Sequence, residues 1–176
     1  VLFVGRIDAY KHPEKMLELL SALPDEFYGV MIGDGELADG LERMIKEMKL
    51  SDRLKWIRKL PNQEVQKYYY VADCFVNFND KEIFGMSILE AMYQGCKVIA
   101  VHAPGPDSII ENGISGYLVK SAEDMPDLIT SDEKDEKLEK HKIVERIRTN
   151  FTWEHSAALF DGWIRSALNL PPRPRD

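Results

Sequence analysis

The chain alternates between short apolar runs and longer segments whose apolar residues recur every three or four positions. The short runs are rich in β-branched and aromatic residues, which is typical of buried strands. The longer segments have the spacing of amphipathic helices. Strands are predicted at residues 1–4, 27–32, 54–57, 74–78, 98–101 and 117–119. This alternation predicts an α/β fold, a parallel sheet of about six strands with helices on both faces.

Helices fill the intervals between the predicted strands. They are predicted after Pro13, over 36–50, after Pro61, and over 85–94, 143–150 and 152–168. Thr152 is the predicted N-cap of the last helix, where Trp153 and Trp163 are expected to pack. The tyrosines at 68–70 precede a core strand, which favours helix packing over a stacking platform. Residues 121–142 are dense in Glu and Lys and predict a solvated helix with a linker. Residues 1–170 are predicted to form one domain, and 171–176 a frayed tail.

The stretch 73–101 predicts a strand, a polar turn, a helix and a second strand. Gly95 is a natural stop for the helix, and a unit of this length implies parallel strands with a right-handed crossover. Glu82 precedes the helix, and Glu90 lies inside it, eight positions further on. The helical part of that separation spans roughly 8–9 Å. This is about the distance from a phosphate to the ribose of the same nucleotide.

The N-terminus of this helix is a candidate anion site. Its unpaired amides and the positive end of the helix dipole attract negative charge, and Gly85 lets a ligand approach the backbone. Taken singly, Glu82 would complement the dipole and Glu90 would be a solvated surface residue. Their occurrence together in this frame favours a binding role for both.

Composition narrows the function classes. The chain has 176 residues, 44% of them hydrophobic and 30% charged, which fits one globular domain. Its formal charge of −7 argues against a nucleic-acid-binding protein. No apolar run is long enough to span a membrane, and the histidines show no metal-ligand spacing. Cys74 and Cys96 lie beside predicted core strands, so we expect buried thiols in a cytoplasmic protein.

The segment Glu-Ile-Phe-Gly-Met-Ser-Ile-Leu-Glu-Ala-Met, followed by Gly-Cys-Lys-Val-Ile-Ala, resembles the Glu-x7-Glu signature of retaining glycosyltransferases of family 4. The resemblance runs from residue 1 to residue 119, and more loosely to the end. It implies one half of a GT-B fold, the C-terminal Rossmann-like domain that binds a nucleotide diphosphate sugar. Mannosyltransferases of polysaccharide biosynthesis are slightly favoured among its members, and mannose on a guanosine carrier and glucose or galactose on a uridine carrier all fit as donors. Because the chain opens directly in a strand, we expect that an N-terminal acceptor domain is absent.

The resemblance gives roles to individual residues. Glu82 is the implied catalytic residue, which holds sugar hydroxyls, and Glu90 is implied to bind the ribose diol. Arg6 and Lys11 follow the first strand and are implied to bind the diphosphate, a role that suits a planar fork and a point charge. Without the two glutamates, both cations would be ordinary solvated residues. The other implied substrate contacts lie at the helix mouth: Ile83, Phe84, Gly85 and Met86.

The implied reaction transfers a hexosyl group to a glycan or a lipid-linked acceptor, with retention of the anomeric configuration. Neither a metal nor a cofactor is implied, and the nucleotide diphosphate sugar is the donor substrate. Stabilising the departing diphosphate lowers the barrier. The isolated chain is expected to bind donor and turn over poorly, since acceptor contacts would come from the absent domain. That domain or the acceptor would bring the protein to the inner face of a membrane.

Two departures from the family pattern leave alternatives open. His12 stands where the family usually has Gly, and the loop 104–108 has Pro104-Gly105 and Ser108 where relatives commonly have Gly-Gly and a glutamate. A catalytically inactive nucleotide-binding module of the same fold is the second hypothesis. A flavodoxin-like regulatory domain ranks third, because it would need an acidic cluster after the first strand.

Two further loops face the expected ligand edge of the sheet. Gly33, Asp34 and Gly35 follow the second strand, and a plain turn explains these residue types. Lys59 follows the third strand, where the resemblance places backbone beside the nucleotide base. The sequence therefore assigns no ligand contact to the first loop and a neighbouring position to Lys59.

Overall fold

The computed structural model of this chain describes residues 1–131 and 138–171. Within them, six parallel strands form one sheet: β1 Leu2–Val4, β2 Gly29–Ile32, β3 Leu54–Ile57, β4 Cys74–Asn77, β5 Lys97–Val101 and β6 Tyr117–Val119. The strand order is β3-β2-β1-β4-β5-β6. The chain therefore builds outward from β1 in one direction and then from β4 in the other. The predicted Rossmann-like parallel sheet of about six strands is confirmed.

Helices connect the strands. In the described residues they are α1 Glu14–Ala22, α2 Ala38–Glu47, α3 Asn62–Val71, α4 Met86–Tyr93, α5 Pro104–Ile109, α6 Met125–Ile129, α7 Lys140–Asn150 and α8 Trp153–Ala167. Short 3-10 helices occupy Ala9–Lys11 and Ala122–Asp124. The sequence predicted a loop where α5 forms. Pro104 begins this helix, and its fixed φ angle suits a first helical position.

The acidic segment and the tail are only partly described. Residues 122–129 form a 3-10 helix and α6, and α6 buries Met125 and Ile129. This part of the predicted solvated segment therefore belongs to the core. Residues 132–137 lie outside the described part of the chain, and so does the predicted tail apart from residue 171.

The core consists of two hydrophobic clusters, one on each face of the sheet. Successive strand residues point to opposite faces, and in β1 Leu2 joins one cluster while Phe3 joins the other. The Phe3 cluster reaches α1 and α6, and the Leu2 cluster reaches α3, α4 and α7. Strands β4 and β5 are buried along their whole length, as expected for a sheet covered on both faces.

Helix α8 has its N-cap as predicted, but its aromatic residues do not pack as predicted. The Thr152 hydroxyl accepts a hydrogen bond from the His155 amide at 3.2 Å. Trp153 and Trp163, which were expected to pack, are 90% and 70% exposed. The helix follows α7 with these rings turned to solvent, so the packing prediction is wrong within the described residues.

The loops after β1 and β2 contact each other closely through glycine. Gly33 has a φ of 140°, and a Cβ there would overlap the carbonyl oxygen of Gly5. A Cβ on Gly35 would overlap the carbonyl oxygen of Ile7. These glycines do more than form the predicted plain turn, because they let two backbone segments meet at the ligand edge of the sheet.

We expect Gly33→Ala to lower the free energy of unfolding by at least about 2 kcal/mol, because it adds a steric overlap to a strained φ. Gly40→Ala is the matched control, since a Cβ at this position in α2 meets nothing within 4 Å. It should raise the free energy of unfolding by about 0.5–1 kcal/mol. Urea denaturation measures both changes. Equally small effects at the two positions would contradict the close contact.

Candidate functional site

The carboxyl ends of β1 and β4 lie side by side in the middle of the sheet. The strand order changes direction at this point, which is where open α/β sheets bind ligands. The loop after β1 carries Arg6 and Lys11, and the loop after β4 carries Glu82. The fold thus brings together Lys11 and Glu82, which are 71 positions apart in the chain.

The Glu82 carboxylate accepts three hydrogen bonds. Its Oε2 accepts from Lys11 Nζ at 2.5 Å and from Asn79 Nδ2 at 3.2 Å. Its Oε1 accepts from the Gly85 amide at 3.2 Å. Burial by itself would raise the pKa of Glu82, but these three donors outweigh it and lower the pKa below its ordinary value. The side chain is therefore an ionised, fixed acceptor at neutral pH.

The loop after β1 contains a carboxylate, Asp8, that the sequence analysis missed. Asp8 is buried, and its side chain accepts from the Lys11 amide at 3.3 Å, which caps the 3-10 helix. The same carboxylate lies 3.0 Å from Arg6 Nε. The Arg6 side chain is 78% exposed, so its guanidinium points outward. An Asp three positions before Lys11 is an N-cap signal that could have indicated this role.

Glycine shapes the mouth of α4 from two sides. Gly85 is the N-cap residue with a φ of 87°, a left-handed conformation that favours glycine. Gly105, at the start of α5, donates its amide to the Glu82 carbonyl at 2.7 Å. A Cβ on Gly105 would lie 2.9 Å from that oxygen and from Phe84 backbone atoms. The Pro104-Gly105 loop therefore keeps a glycine where α5 touches the helix mouth.

Four residues at the helix mouth were predicted to contact the substrate, and the structure exposes the side chains of three of them. The Ile83, Phe84 and Met86 side chains are 83%, 60% and 59% exposed. The Gly85 amide, which was expected to face the ligand, donates to Glu82 instead. The structure thus uses this amide to orient the carboxylate, and it presents apolar side chains around it.

A groove of about 690 Å³ runs along the outer side of α4. Phe84, Met86 and Glu90 line it on one side, and residues 151–154 line it on the other. Its lining does not include Lys11 or Glu82, so the groove adjoins the ionised pair without containing it.

Glu90 is half-buried and hydrogen-bonded, which separates it from an ordinary surface glutamate. Its Oε2 accepts from the Tyr69 hydroxyl at 3.2 Å. Tyr69 is completely buried, and burial, together with the negative charge of Glu90, raises the pKa of its phenol. The phenol therefore remains a donor and holds the Glu90 carboxylate in one orientation. The sequence predicted a packing role for the tyrosines and gave no signal of this hydrogen bond.

At the carboxyl end of β3 the ordered cation is Arg58, whereas the predicted Lys59 is exposed. The Arg58 guanidinium lies 4.7 Å from the centroid of the Trp56 ring. It donates to Asp34 at 2.9 Å and to Glu42 at 2.8 Å. Arg58 thus ties the loop after β2 to the loop after β3 at the ligand edge.

The part of the chain that the structure describes also bears on metal, membrane and thiol chemistry. It contains no group of three or more His, Cys, Asp or Glu residues that could hold a metal ion. None of its helices is both long and apolar enough to cross a membrane. Cys74 and Cys96 are both buried, and burial raises the pKa of the Cys96 thiol to about 12. These thiols are therefore core residues and not reactive groups.

Residues 1–149 match the family described as Glycosyl transferases group 1. The chain belongs to this family. The C-terminal domain of a group 1 glycosyl transferase, LpcC from Francisella tularensis, superposes on it with a TM-score of 0.74 at 25% identity, covering 86% of each chain. The fold of this group 1 glycosyltransferase chain is accordingly one Rossmann-like half of GT-B.

Two further comparisons show how much of a group 1 glycosyltransferase this chain represents. D-inositol 3-phosphate glycosyltransferase of Corynebacterium urealyticum is 26% identical over 185 residues, which cover 96% of this chain and 43% of that protein. Anabaena HepE, solved in complex with UDP-glucose, has a TM-score of 0.76 at 19% identity. That match covers 96% of this chain and 48% of HepE, and it shows the fold alone. The chain spans about half the length of the curated relatives that it matches.

Replacing Glu82 should change stability in a pH-dependent way. Because its folded-state pKa is lowered, its ionised form stabilises the fold above the ordinary value of 4.5, and this contribution is lost as pH falls through the lower folded pKa. We expect Glu82→Gln to reduce the free energy of unfolding by about 1 kcal/mol at neutral pH, after allowance for screening by solvent. Urea denaturation at neutral pH and across the acid range measures this difference.

Glu64→Gln is the control for that experiment, since Glu64 pairs with Lys67 on the exposed side of α3. Its effect should stay within about 0.5 kcal/mol. The Glu82→Gln difference should shrink towards zero in acid, where the wild-type carboxylate is protonated. A difference that is the same at every pH would show that the ionised pair does not stabilise the fold.

Proposed function

We propose that this chain binds a nucleotide diphosphate sugar for transfer of the hexosyl group, with retention, to a glycan or a lipid-linked acceptor. The Lys11–Glu82 pair, at the point where the strand order changes direction, carries the proposal. It places a cation and an ionised carboxylate together in the crevice where such sheets bind ligands. Membership of the group 1 glycosyltransferases and the UDP-glucose complex of HepE support this donor class.

The ionised pair would bind two parts of the donor. Glu82 has a lowered pKa and can only accept hydrogen bonds when ionised, so it would hold sugar hydroxyls. The Lys11 ammonium has three N–H donors, and one of them contacts Glu82. The other two would contact the diphosphate. Arg6, extended into solvent, would add a planar fork to the same group.

The nucleoside would lie along α4. Glu90, oriented by Tyr69, would accept hydrogen bonds from the two ribose hydroxyls. The backbone at Phe84 and Met86 belongs to the N-terminal end of α4, whose dipole favours the diphosphate. The exposed side chains of Ile83, Phe84 and Met86 would cover the bound donor.

The chemistry would be electrostatic. The bond between the anomeric carbon and the diphosphate oxygen breaks, and the cations stabilise the negative charge that develops on the leaving group. The acceptor oxygen forms the new bond on the same face of the sugar, and its proton passes to the leaving phosphate. We propose neither a protein nucleophile nor a metal or cofactor.

Two donors have separate support. The resemblance of the sequence favours mannose on a guanosine carrier, whereas the ligand of HepE is UDP-glucose. Acceptor contacts are proposed to come from the part of the longer relatives that this chain does not span. The isolated chain would then bind donor and turn over poorly. A role in cytoplasmic polysaccharide biosynthesis, at a membrane face where the acceptor lies, completes the proposal.

Calorimetric titration of the chain with GDP-mannose, UDP-glucose and UDP-galactose tests the donor site. We expect one donor to bind with a Kd between about 1 μM and 1 mM. Glu90→Ala should weaken it about tenfold, because the charge-assisted hydrogen bonds to the ribose are lost. Glu64→Ala, on the exposed side of α3, should leave the Kd unchanged. Lack of binding by all three donors to the folded wild-type chain would contradict the proposal.

An inactive nucleotide-binding module is the second candidate, because His12 replaces a glycine of the family pattern at a left-handed position. The inactive-module hypothesis predicts that the protein, tested in its longest natural form, binds nucleotide but transfers no hexosyl group. Our proposal predicts transfer by that form, with a large loss of rate in Glu82→Ala. Assay of radiolabelled hexose incorporation distinguishes the two. Donor binding without incorporation of hexose into any acceptor would favour the inactive module.

A further inference from the structure

The His12 ring lies between two carboxylates from different segments. Its Nδ1 is 3.3 Å from Glu14 Oε1, in the first turn of α1. Its Nε2 is 3.7 Å from Asp80 Oδ1, in the loop between β4 and α4. That loop also carries Glu82, and the residue before His12 is Lys11. The ring therefore bridges the two segments whose side chains form the ionised pair.

The backbone of His12 has a conformation that is unusual for a residue with a side chain. Its φ and ψ are 49° and 53°, in the left-handed region that few non-glycine residues occupy. It follows the 3-10 helix Ala9–Lys11 at a position where glycine is the favoured residue. Glycine would remove the backbone strain, but it could not make either contact with the carboxylates. The strain is thus accompanied by two contacts that only the side chain provides.

The ring adjoins a cavity of about 240 Å³ at the carboxyl ends of β4, β5 and β6. Besides His12, the charged groups that line this cavity are Lys15, Asp80, Lys120 and Glu123. Lys15 donates to Glu123 at 3.2 Å and to Glu18 at 2.8 Å, so its charge is already matched. Glu14 and Asp80 are the carboxylates that meet the His12 ring in the described residues, and Lys120 is a cation across the cavity.

We propose that His12 is a positioning residue that clips the Lys11 segment to the Glu82 loop, and that the clip is complete only when both ring nitrogens are protonated. A neutral imidazole carries no charge, whereas the charged ring attracts both carboxylates, Glu14 at hydrogen-bond distance and Asp80 at a longer ion-pair distance. Histidine side chains gain this second proton within the physiological pH range. The clip therefore tightens as pH falls, and donor affinity increases with it.

The Glu82 carboxylate and the donor keep their charge over the same range. The pKa of Glu82 is lowered, so its carboxylate stays ionised well below neutral pH. A nucleotide diphosphate sugar has no phosphate monoester, so the charge of the donor is constant as well. A pH effect on donor affinity at this site would therefore come neither from Glu82 nor from the donor. The donor part of this inference depends on the proposed function, but the clip is a property of the free protein.

Donor titration at about pH 6 and about pH 8 tests the effect on binding. We expect the wild-type Kd to be about two- to fivefold lower at the lower pH, as for other partly exposed charge pairs. In His12→Gly, which removes the ring and relaxes the backbone, this ratio should fall to about one. Asp80→Asn keeps the shape of the second contact without its charge and should reduce the ratio.

His102→Asn is the matched control. His102 is another exposed histidine at the carboxyl end of β5, and its Nδ1 pairs with Asp107 at 2.8 Å. It does not bridge to the Glu82 loop through that contact, so the pH ratio of donor affinity should stay at the wild-type value. A ratio that persists in His12→Gly and disappears in His102→Asn would overturn the proposal.

Hydrogen exchange of the free protein separates this inference from the proposed function. The Lys81 amide donates to Asn79 Oδ1 at 3.0 Å, and the Glu82 amide donates to the Asn79 carbonyl at 3.3 Å. Both amides should be better protected in wild type than in His12→Gly at about pH 6, and the difference should shrink at about pH 8. If this difference appears and no donor binds, the donor function fails and the clip stands. If it does not appear, the clip is overturned, whether or not donor binds.

Discussion

The contact between the Lys11 ammonium and the Glu82 carboxylate depends directly on the adjacency of β1 and β4. Placing a carboxylate where its side chain is 13% exposed is unfavourable without partners. Here an ammonium, a side-chain amide and a backbone amide satisfy it. The order of strands in the sheet thus determines the ionisation and orientation of the group that is central to the site.

Close backbone contacts build the remainder of the ligand edge. Gly33 lets the loop after β2 touch the loop after β1, and Gly105 lets α5 touch the loop that carries Glu82. Gly85 turns the chain into α4 with a positive φ. At Gly33 and Gly105 a side chain would separate two segments that now touch. The geometry of the site therefore depends on packing without side chains as much as on the polar groups themselves.

The local electrostatics of the site differ from those of the whole chain. With a net charge of −7, the protein has no general attraction for an anion. The two cations of the loop after β1 are each paired with a carboxylate: Lys11 with Glu82 and Arg6 with Asp8. A phosphate that binds here must share these donors with protein carboxylates, so the relative placement of the loops should affect its affinity strongly.

The sequence by itself determined the α/β class, the strand segments, and the positions of Glu82 just before α4 and of Glu90 within it, because these depend on residues close together in the chain. Only the tertiary structure decided that Lys11 reaches Glu82, that Tyr69 orients Glu90, and that the His12 ring lies between the start of α1 and the loop after β4. Hydrophobic periodicity fixes which face of a segment is buried, but it does not fix how loops from different strands approach one another. Those distances follow from the packing of the whole sheet and its helices.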